Sequence, residues 1–352
     1  MASAAKPSRR EGLMSWARDG VVAALLAMTG YISLIDIFPK YFLLSGGIQN
    51  LMRGVAFVTH IIKKEPPMKT KKSYLDTLKT CHGKLFRRCV GIRRRTFRQV
   101  YKQVRHSMEQ ERQQNPLRRR GKPSTTLSLS ERLLLTFIYL RQYPTFEQLG
   151  AMFGISESYA NKIFHQYLNI LVKVGRLPGH KALLESGIQA ILLDVTEQPI
   201  ERPVKKQRDY YSGKKKRHTI KAQLIVCLKS LQILLLVCGK GRTHDFTLLK
   251  QCRLRIKNEL KKYADSGYQG ILKLYPNSLI PIKKPQKREL TKEEKRYNRT
   301  LAKIRIAIEH VNRRCKIFRI VKDTYRGKHK NYHKTWAVVV VLVNLRYTSN
   351  SQ

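Results

Sequence analysis

Two hydrophobic periods alternate along this chain, separated by long polar stretches. From Ile188 to Val195 the run is apolar, with β-branched Ile188, Ile191 and Val195, apart from Gln189 near its start and a carboxylate, Asp194, near its end. That is the pattern of a buried strand delivering an acid to its tip. After Thr196 and Glu197 comes an excursion bounded by Pro199 and Pro203. A basic block, Lys214, Lys215, Lys216 and Arg217, then leads into a second strand-like run from Thr219 to Leu228. A Lys229-Ser230 turn joins it to a third, Ile233 to Val237. A fourth short run ends at Asp265 and is followed by Gly267 and Gly270, as a strand opening into a tight loop should be. Ser278 to Lys283 reads as a further strand.

The other period is helical. Residues 69–113 combine spaced apolar positions (Phe97, Val100, Tyr101, Val104) with dense arginine, and Gly91 should break them into two pieces. Residues 116–123, PLRRRGKP, read as a basic linker. From residue 128 the pattern sharpens: an N-cap at Ser130, a helix stopping before Pro144, a second cap at Thr145, a turn at Gly154 and a third cap at Ser156. Helix, short helix, glycine turn and long helix predict a helix-turn-helix at about 128–174. Its third helix would present Glu157, Ser158, Asn161 and Lys162 to a major groove. A helix is predicted from about Asp245 to Leu254. Another carries Ile304, Ala307, Ile308, Val311 and Cys315 on one stripe, with Arg305, Glu309 and Lys316 together on another face. Thr335 to Leu345 reads as a closing core helix with Trp336 packed inside.

Composition narrows the partner. Lys and Arg number 71 against 23 Asp and Glu, a formal charge of +48 over 352 residues. Such a chain repels itself unless a polyanion neutralises it, which makes nucleic acid the expected partner. An anionic membrane is the rival, yet no basic amphipathic helix with an aromatic face is visible, so no membrane partner is expected. The six cysteines show no CxxC pair and no zinc spacing, which suits a reducing cytoplasm. Residues 1–67 differ from the rest: apolar stretches from Val21 to Ile35 and Tyr41 to Met52 are shorter than the roughly 18–20 residues that span a bilayer. They read as an extension outside the functional unit or as an extra helical module.

Asp194 among so many cations has two readings. One is a salt bridge on a basic surface; the other is a metal-binding carboxylate beside a groove for a polyanion. Asp265 at a strand end and Glu309 on a helix supply the further acids the second reading needs. Other carboxylates compete. Glu197 lies three residues past Asp194 and reads as a supporting group or a partner of a nearby cation; Asp209 lies in the basic loop; Asp245 reads chiefly as a helix N-cap. His218 and His244 are left out of the metal set. Tyr210 and Tyr211 have two open readings, stacking on unpaired bases or packing under the loop.

Taken together, DVTEQPIERP, YYSGKKKRHTIKAQ, GKGRTHDF, ADSGYQG and the Arg305-Glu309-Lys316 helix resemble the bacterial insertion-sequence transposases of the DDE superfamily, the group that includes the Harbinger-type transposases. The similarity runs from about residue 71 to near the C-terminus. Where the family's last motif has a tyrosine, this chain has Ala302. The resemblance implies an α/β fold: an RNase H-like catalytic domain, a mixed sheet flanked by helices, over residues 186–348. An all-α DNA-binding region would precede it over 68–178. It also implies a catalytic triad of Asp194, Asp265 and Glu309 holding Mg²⁺ or Mn²⁺, two ions in all, with Asp194 bridging both. Arg305 and Lys316 read as contacts to DNA phosphate or as helix-surface charges with no special task, and Lys214, Lys215, Lys216 and Arg217 in the basic loop have the same two readings. The implied activity is metal-dependent DNA cleavage and strand transfer by a dimer or larger assembly on element ends, in the bacterial cytoplasm with the nucleoid. The alternatives are a regulator with an idle site and a nuclease without strand transfer.

Overall fold

The computed structural model describes residues 74–114, 126–184, 187–286 and 288–348. The apolar stretches before residue 68 and the linker at 116–123 lie outside the described residues. The first described elements are three helices, Tyr74–Thr80 (α1), Gly83–Val90 (α2) and Arg94–Gln114 (α3). Gly91 makes the expected break, ending α2 at φ 86, where a Cβ would also strike the Phe318 ring at 2.6 Å. A second, unforeseen break falls at His82. Its ring Nδ1 accepts from Leu85 N, and Arg94 donates to the carbonyls of Leu78 and Cys81 across the gap.

Residues 129–174 fold as Leu129–Gln142 (α4), Phe146–Phe153 (α5) and Glu157–Val174 (α6). The cap of α4 is Ser128 rather than Ser130, because Glu131 can return a bond to the Ser128 backbone and close a reciprocal capping box. Thr145 with Gln148 does the same for α5, and Ser156 caps α6. Gly154 takes φ 64 in the turn. Gly150 is needed for closeness instead: a Cβ there would lie 2.6 Å from the Ile155 carbonyl oxygen. Tyr139, Phe146 and Phe164 stack or tilt on one another at 4.4–5.9 Å and fill the space between the three helices.

After Gly179–Leu184 (α7) comes the sheet: Ala190–Pro199 (β1), Tyr211–Ser212 (β2), Arg217–Cys227 (β3), Ile233–Lys240 (β4), Lys261–Tyr263 (β5) and Ser278–Leu279 (β6). Gln207–Tyr210 (α8), Asp245–Gln251 (α9), Lys292–Cys315 (α10) and Tyr332–Thr348 (α11) complete the described helices. β1 pairs antiparallel with β3, β3 antiparallel with β4 and β2, β1 parallel with β5, and β5 parallel with β6. This is the mixed sheet flanked by helices that the sequence leads one to expect of an RNase H-like domain. On one face Leu192, Leu224 and Val226 share a core with Ile308 and Val311 of α10 and Trp336 and Val340 of α11. On the other, Ile191, Leu193 and Ile225 pack with Leu249 of α9 and with Tyr268.

β1 runs on to Pro199, so Asp194 lies in mid-strand and not at a tip. The reason is β3, which stays in register with β1 as far as Thr219 opposite Pro199, whereas β5 pairs only as far as Leu192. β6 is likewise shorter than the sequence pattern. The residues of α3–α6 belong to the same hydrophobic core as the sheet and α11. Polar ties reinforce this. Arg326 donates to the Tyr143 and Pro144 carbonyls at 2.7 and 3.0 Å, Lys334 to Asn169 at 2.8 Å, and Arg141 to the Ile317 carbonyl. The exposed edge of β4 is closed by Asn344, whose amide accepts from Ile233 N at 2.9 Å and donates to Ile233 O at 2.8 Å. Among the described residues no helix is long and apolar enough to cross a membrane.

Candidate catalytic site

Asp194 sits on the β1 face that α10 covers. Asn312 of α10 donates to Asp194 Oδ2, and Arg305 Nη2 lies 3.8 Å from Oδ1. The parallel register, with Leu192 beside Tyr263, carries Asp265 alongside Asp194 just past the end of β5. There Asp265 accepts from Gly267 N at 2.8 Å and opens the short helical turn Ser266–Tyr268. Burial, and then the neighbouring Asp265 carboxylate, push the Asp194 carboxyl up to about 6. Arg305, Asn312 and the Val195 N–H pull the other way without offsetting them.

Glu309 lies one turn beyond Arg305 on α10. It is exposed, and with Asp194, Asn312, Arg313 and Lys316 it lines a cleft of about 750 Å³. Arg319 and Lys322 from the following segment add cations to the same wall. The helix thus presents Arg305, Glu309, Asn312 and Lys316 together. Sequence reasoning found three of the four and missed Asn312, though its position three residues past Glu309 is the available signal. Asp265 faces Asp194 but does not line the cleft.

The rival acids fall elsewhere. Glu197 is on the opposite face of β1 from Asp194, where it accepts from Ser212 at 2.8 Å and Thr219 at 3.4 Å. Asp209 pairs with Lys240 at 2.7 Å on the surface. Asp245 is not the N-cap of α9: His244 occupies that position without a side-chain bond, and Asp245 pairs with Lys221 at 2.8 Å. Asp245 is already the first helical residue, because the extended backbone that marks a cap falls at His244.

For the DNA contacts, Ser158 and Lys162 are exposed and Asn161 half-buried on the first turns of α6. Lys214, Lys215 and Lys216 form the exposed turn between β2 and β3, and Arg217 starts β3. Arg217 is seven residues along β3 from Leu224, the partner of Asp194, which places the hairpin tip about 23 Å from that acid. Tyr210 packs against His329 and Lys240, while Tyr211 is exposed with its ring edge on His218.

Among the described residues no three His, Cys, Asp or Glu side chains converge as a ready-made metal site. The surroundings of Asp194 still suit a hydrated hard cation. Two carboxylates are paired at one strand edge, and the buried Asn312 Oδ1, Tyr268 hydroxyl and Arg305 Nε beside them have no hydrogen-bond partner. Water molecules carried by an ion are the donors and acceptors such atoms lack.

A helix-turn-helix built into the same core as a mixed sheet, with Asp194 on one strand and Asp265 just past the end of its parallel neighbour, is the arrangement expected of the DDE class of DNA-acting proteins. Comparison with known proteins agrees. The family model described as "DDE superfamily endonuclease" matches residues 193–344, and "Helix-turn-helix of DDE superfamily endonuclease" matches residues 125–177. A protein described as "Probable transposase for insertion sequence element IS702", from Microchaete diplosiphon, is 39% identical over 262 residues. The match covers 73% of this chain and 92% of that relative. The chain belongs to the DDE-superfamily transposases of insertion sequences.

Proposed function

We propose that this transposase binds the ends of its element and catalyses metal-dependent strand cleavage followed by strand transfer, with Asp194, Asp265 and Glu309 as the catalytic and metal-holding carboxylates. The observation that carries this reading is that Asp194 on β1 and Asp265, just past the end of the parallel strand β5, are neighbouring carboxylates, while Glu309 of α10 lines one cleft with Asp194. Divalent cations, Mg²⁺ or Mn²⁺ and two in number, would supply Lewis-acid polarisation of the scissile phosphate and acidify bound water. Asp194, Asp265 and Glu309 would be the residues that hold them. Asn312 and Arg305 hold the Asp194 carboxylate in place. Arg313, Lys316 and Lys322 along the cleft neutralise phosphate. Water attacks the phosphodiester, leaving a 3′-hydroxyl and a 5′-phosphate; that hydroxyl then attacks a target phosphodiester at the same centre, and the target's own 3′-oxygen leaves as a hydroxyl.

On the DNA side, Ser158, Asn161 and Lys162 meet the major groove. The Lys214–Arg217 hairpin meets phosphate about two-thirds of a helical turn from the cut. A further grip comes from α3, where Arg95, Arg98, Lys102 and Arg105 are exposed along one stripe opposite the buried Thr96, Val100 and Val104. Pairing of two element ends implies a homodimer or larger assembly. The test uses the full chain and its Asp194→Ala variant with duplex carrying the element's own ends, in Mg²⁺, Mn²⁺ or EDTA. Metal-dependent nicks at the ends and joined products, both lost in the variant, are expected. Nicks without joined products would reduce the reading to a nuclease. Binding with no cleavage in any metal would leave a DNA-binding regulator.

A further inference from the structure

On the face of the sheet away from Asp194, a lysine is buried. Lys221 is 6% exposed and stands on β3 directly opposite Glu197 of β1. Its Nζ donates to the Thr243 carbonyl at 2.7 Å and to Asp245 Oδ1 at 2.8 Å, and lies 3.4 Å from Glu197 Oε1. The ammonium therefore has a full set of acceptors, and Glu197 has further donors in Ser212 and Thr219. Burying an ion pair is a poor way to gain stability, since desolvation offsets the attraction. Its geometry indicates another use.

Lys221 takes up one oxygen of Asp245 and leaves the other free. A Cβ built on Gly267 would lie 3.0 Å from Asp245 Oδ2 and 2.9 Å from Asp265 Oδ1, so the two carboxylates converge on one small space that only glycine leaves open. Beside them Tyr268 is fully buried with a hydroxyl that has no partner. The fields of Asp194, Asp245 and Asp265 all reach that hydroxyl and, with its burial, hold it well above the ordinary phenol range. Asp245 thus stands next to the proposed cleavage centre although it comes from the opposite side of β1.

We propose that Lys221 and Asp245 are positioning residues of that centre: Lys221 fixes Asp245 so that its second oxygen, with the Tyr268 hydroxyl, holds the water shell of a divalent cation at Asp265. This rests on the metal-dependent reading above. Hard cations keep several waters, and the groups that hold those waters tune affinity for the ion. The plain competitor is a salt bridge that only pins the 243–245 turn to the sheet.

Mn²⁺ affinity separates the two. Electron paramagnetic resonance of free Mn²⁺ would be recorded on the full chain without DNA, for wild type, Asp245→Asn, Lys221→Met, Lys221→Arg and Asp194→Asn, with thermal melts on the same samples. Asp245→Asn and Lys221→Met are expected to weaken Mn²⁺ binding by about 10- to 100-fold. Lys221→Arg should recover most of it, and cleavage by the Asn variant should need correspondingly more Mn²⁺ for half-maximal rate. A folded Asp245→Asn protein with wild-type Mn²⁺ affinity would overturn the inference and leave the pinning salt bridge; this variant decides even where Lys221→Met does not fold. Wild type that binds Mn²⁺ no better than Asp194→Asn would remove the metal centre itself, and this inference with it.

Discussion

Asp194 combines deep burial with a like-charged neighbour, and its titration should therefore show in the stability of the metal-free protein. Its folded pKa, about 6, stands above the ordinary 3.8. The native state thus binds a proton more tightly than the unfolded chain does. The stabilisation from that protonated form is full below about pH 4 and is lost as the pH rises through 6, a difference on the order of 3 kcal/mol. In EDTA, Asp194→Asn should melt close to wild type at pH 4 and several degrees higher at pH 8. Parallel melting curves across that range would show that the carboxylate is not strained. Asn344 makes the opposite kind of prediction, because it supplies both bonds that the backbone of Ile233 needs at the edge of β4. Asn344→Leu should cost about 1–3 kcal/mol in urea unfolding. The three acids were legible as candidates because each stands out against its context: an aspartate in an apolar run, an aspartate before two glycines, a glutamate on a basic helix. Asn312 and Lys221 were not. Asn312 is marked only by its place three residues past Glu309, and a lysine in a strand of a +48 chain carries no signal until pairing shows what it faces.

At the scale of elements, the register of β1 decides how the site is made. β3 holds β1 straight to Pro199, whereas β5 stops opposite Leu192, and the loop from Ala264 to Gly270 fills the strand edge left free. The sequence shows the strands through their β-branched runs, but the end of a strand depends on its neighbour and is invisible in one-dimensional pattern. Capping was legible to within two residues. Thr145 and Ser156 stand where expected, and Ser128 displaces Ser130 only because its reciprocal bond with Glu131 adds a second partner. Helix α3 carries the clearest element-level prediction. Arg95, Arg98, Lys102 and Arg105 span about 15 Å of its length and make no ion pair with any described residue. Replacing all four by alanine should weaken binding to any duplex alike and lower the slope of log K against log salt by several units, about one for each phosphate left without its cation. An unchanged slope would show that the stripe faces solvent in the complex.

The described residues do not form two domains on a tether. Tyr143, Asn169 and Gly175 of the helical part are held by Arg326, Lys334 and Val341 of the segments that close the sheet, and both parts share one core. The C-terminal apolar run was legible as a core helix, but its docking against α6 as well as β4 was not, because an all-round apolar helix does not reveal how many partners it serves. Such packing removes the freedom a linker would give between the recognition helix and the acids. The cut should therefore lie at a constant distance from the bound sequence, whatever bases stand between. Duplexes with one to five base pairs inserted between the recognised sequence and the natural cleavage point should be cut at the original spacing, short of the displaced end. Because each added base pair also rotates the backbone by about a tenth of a turn, the site should not follow the displaced end. Mapping 3′-hydroxyl ends at nucleotide resolution checks this, and cuts that track the displaced end would mean that the helix-turn-helix releases its hold on the sheet when DNA binds.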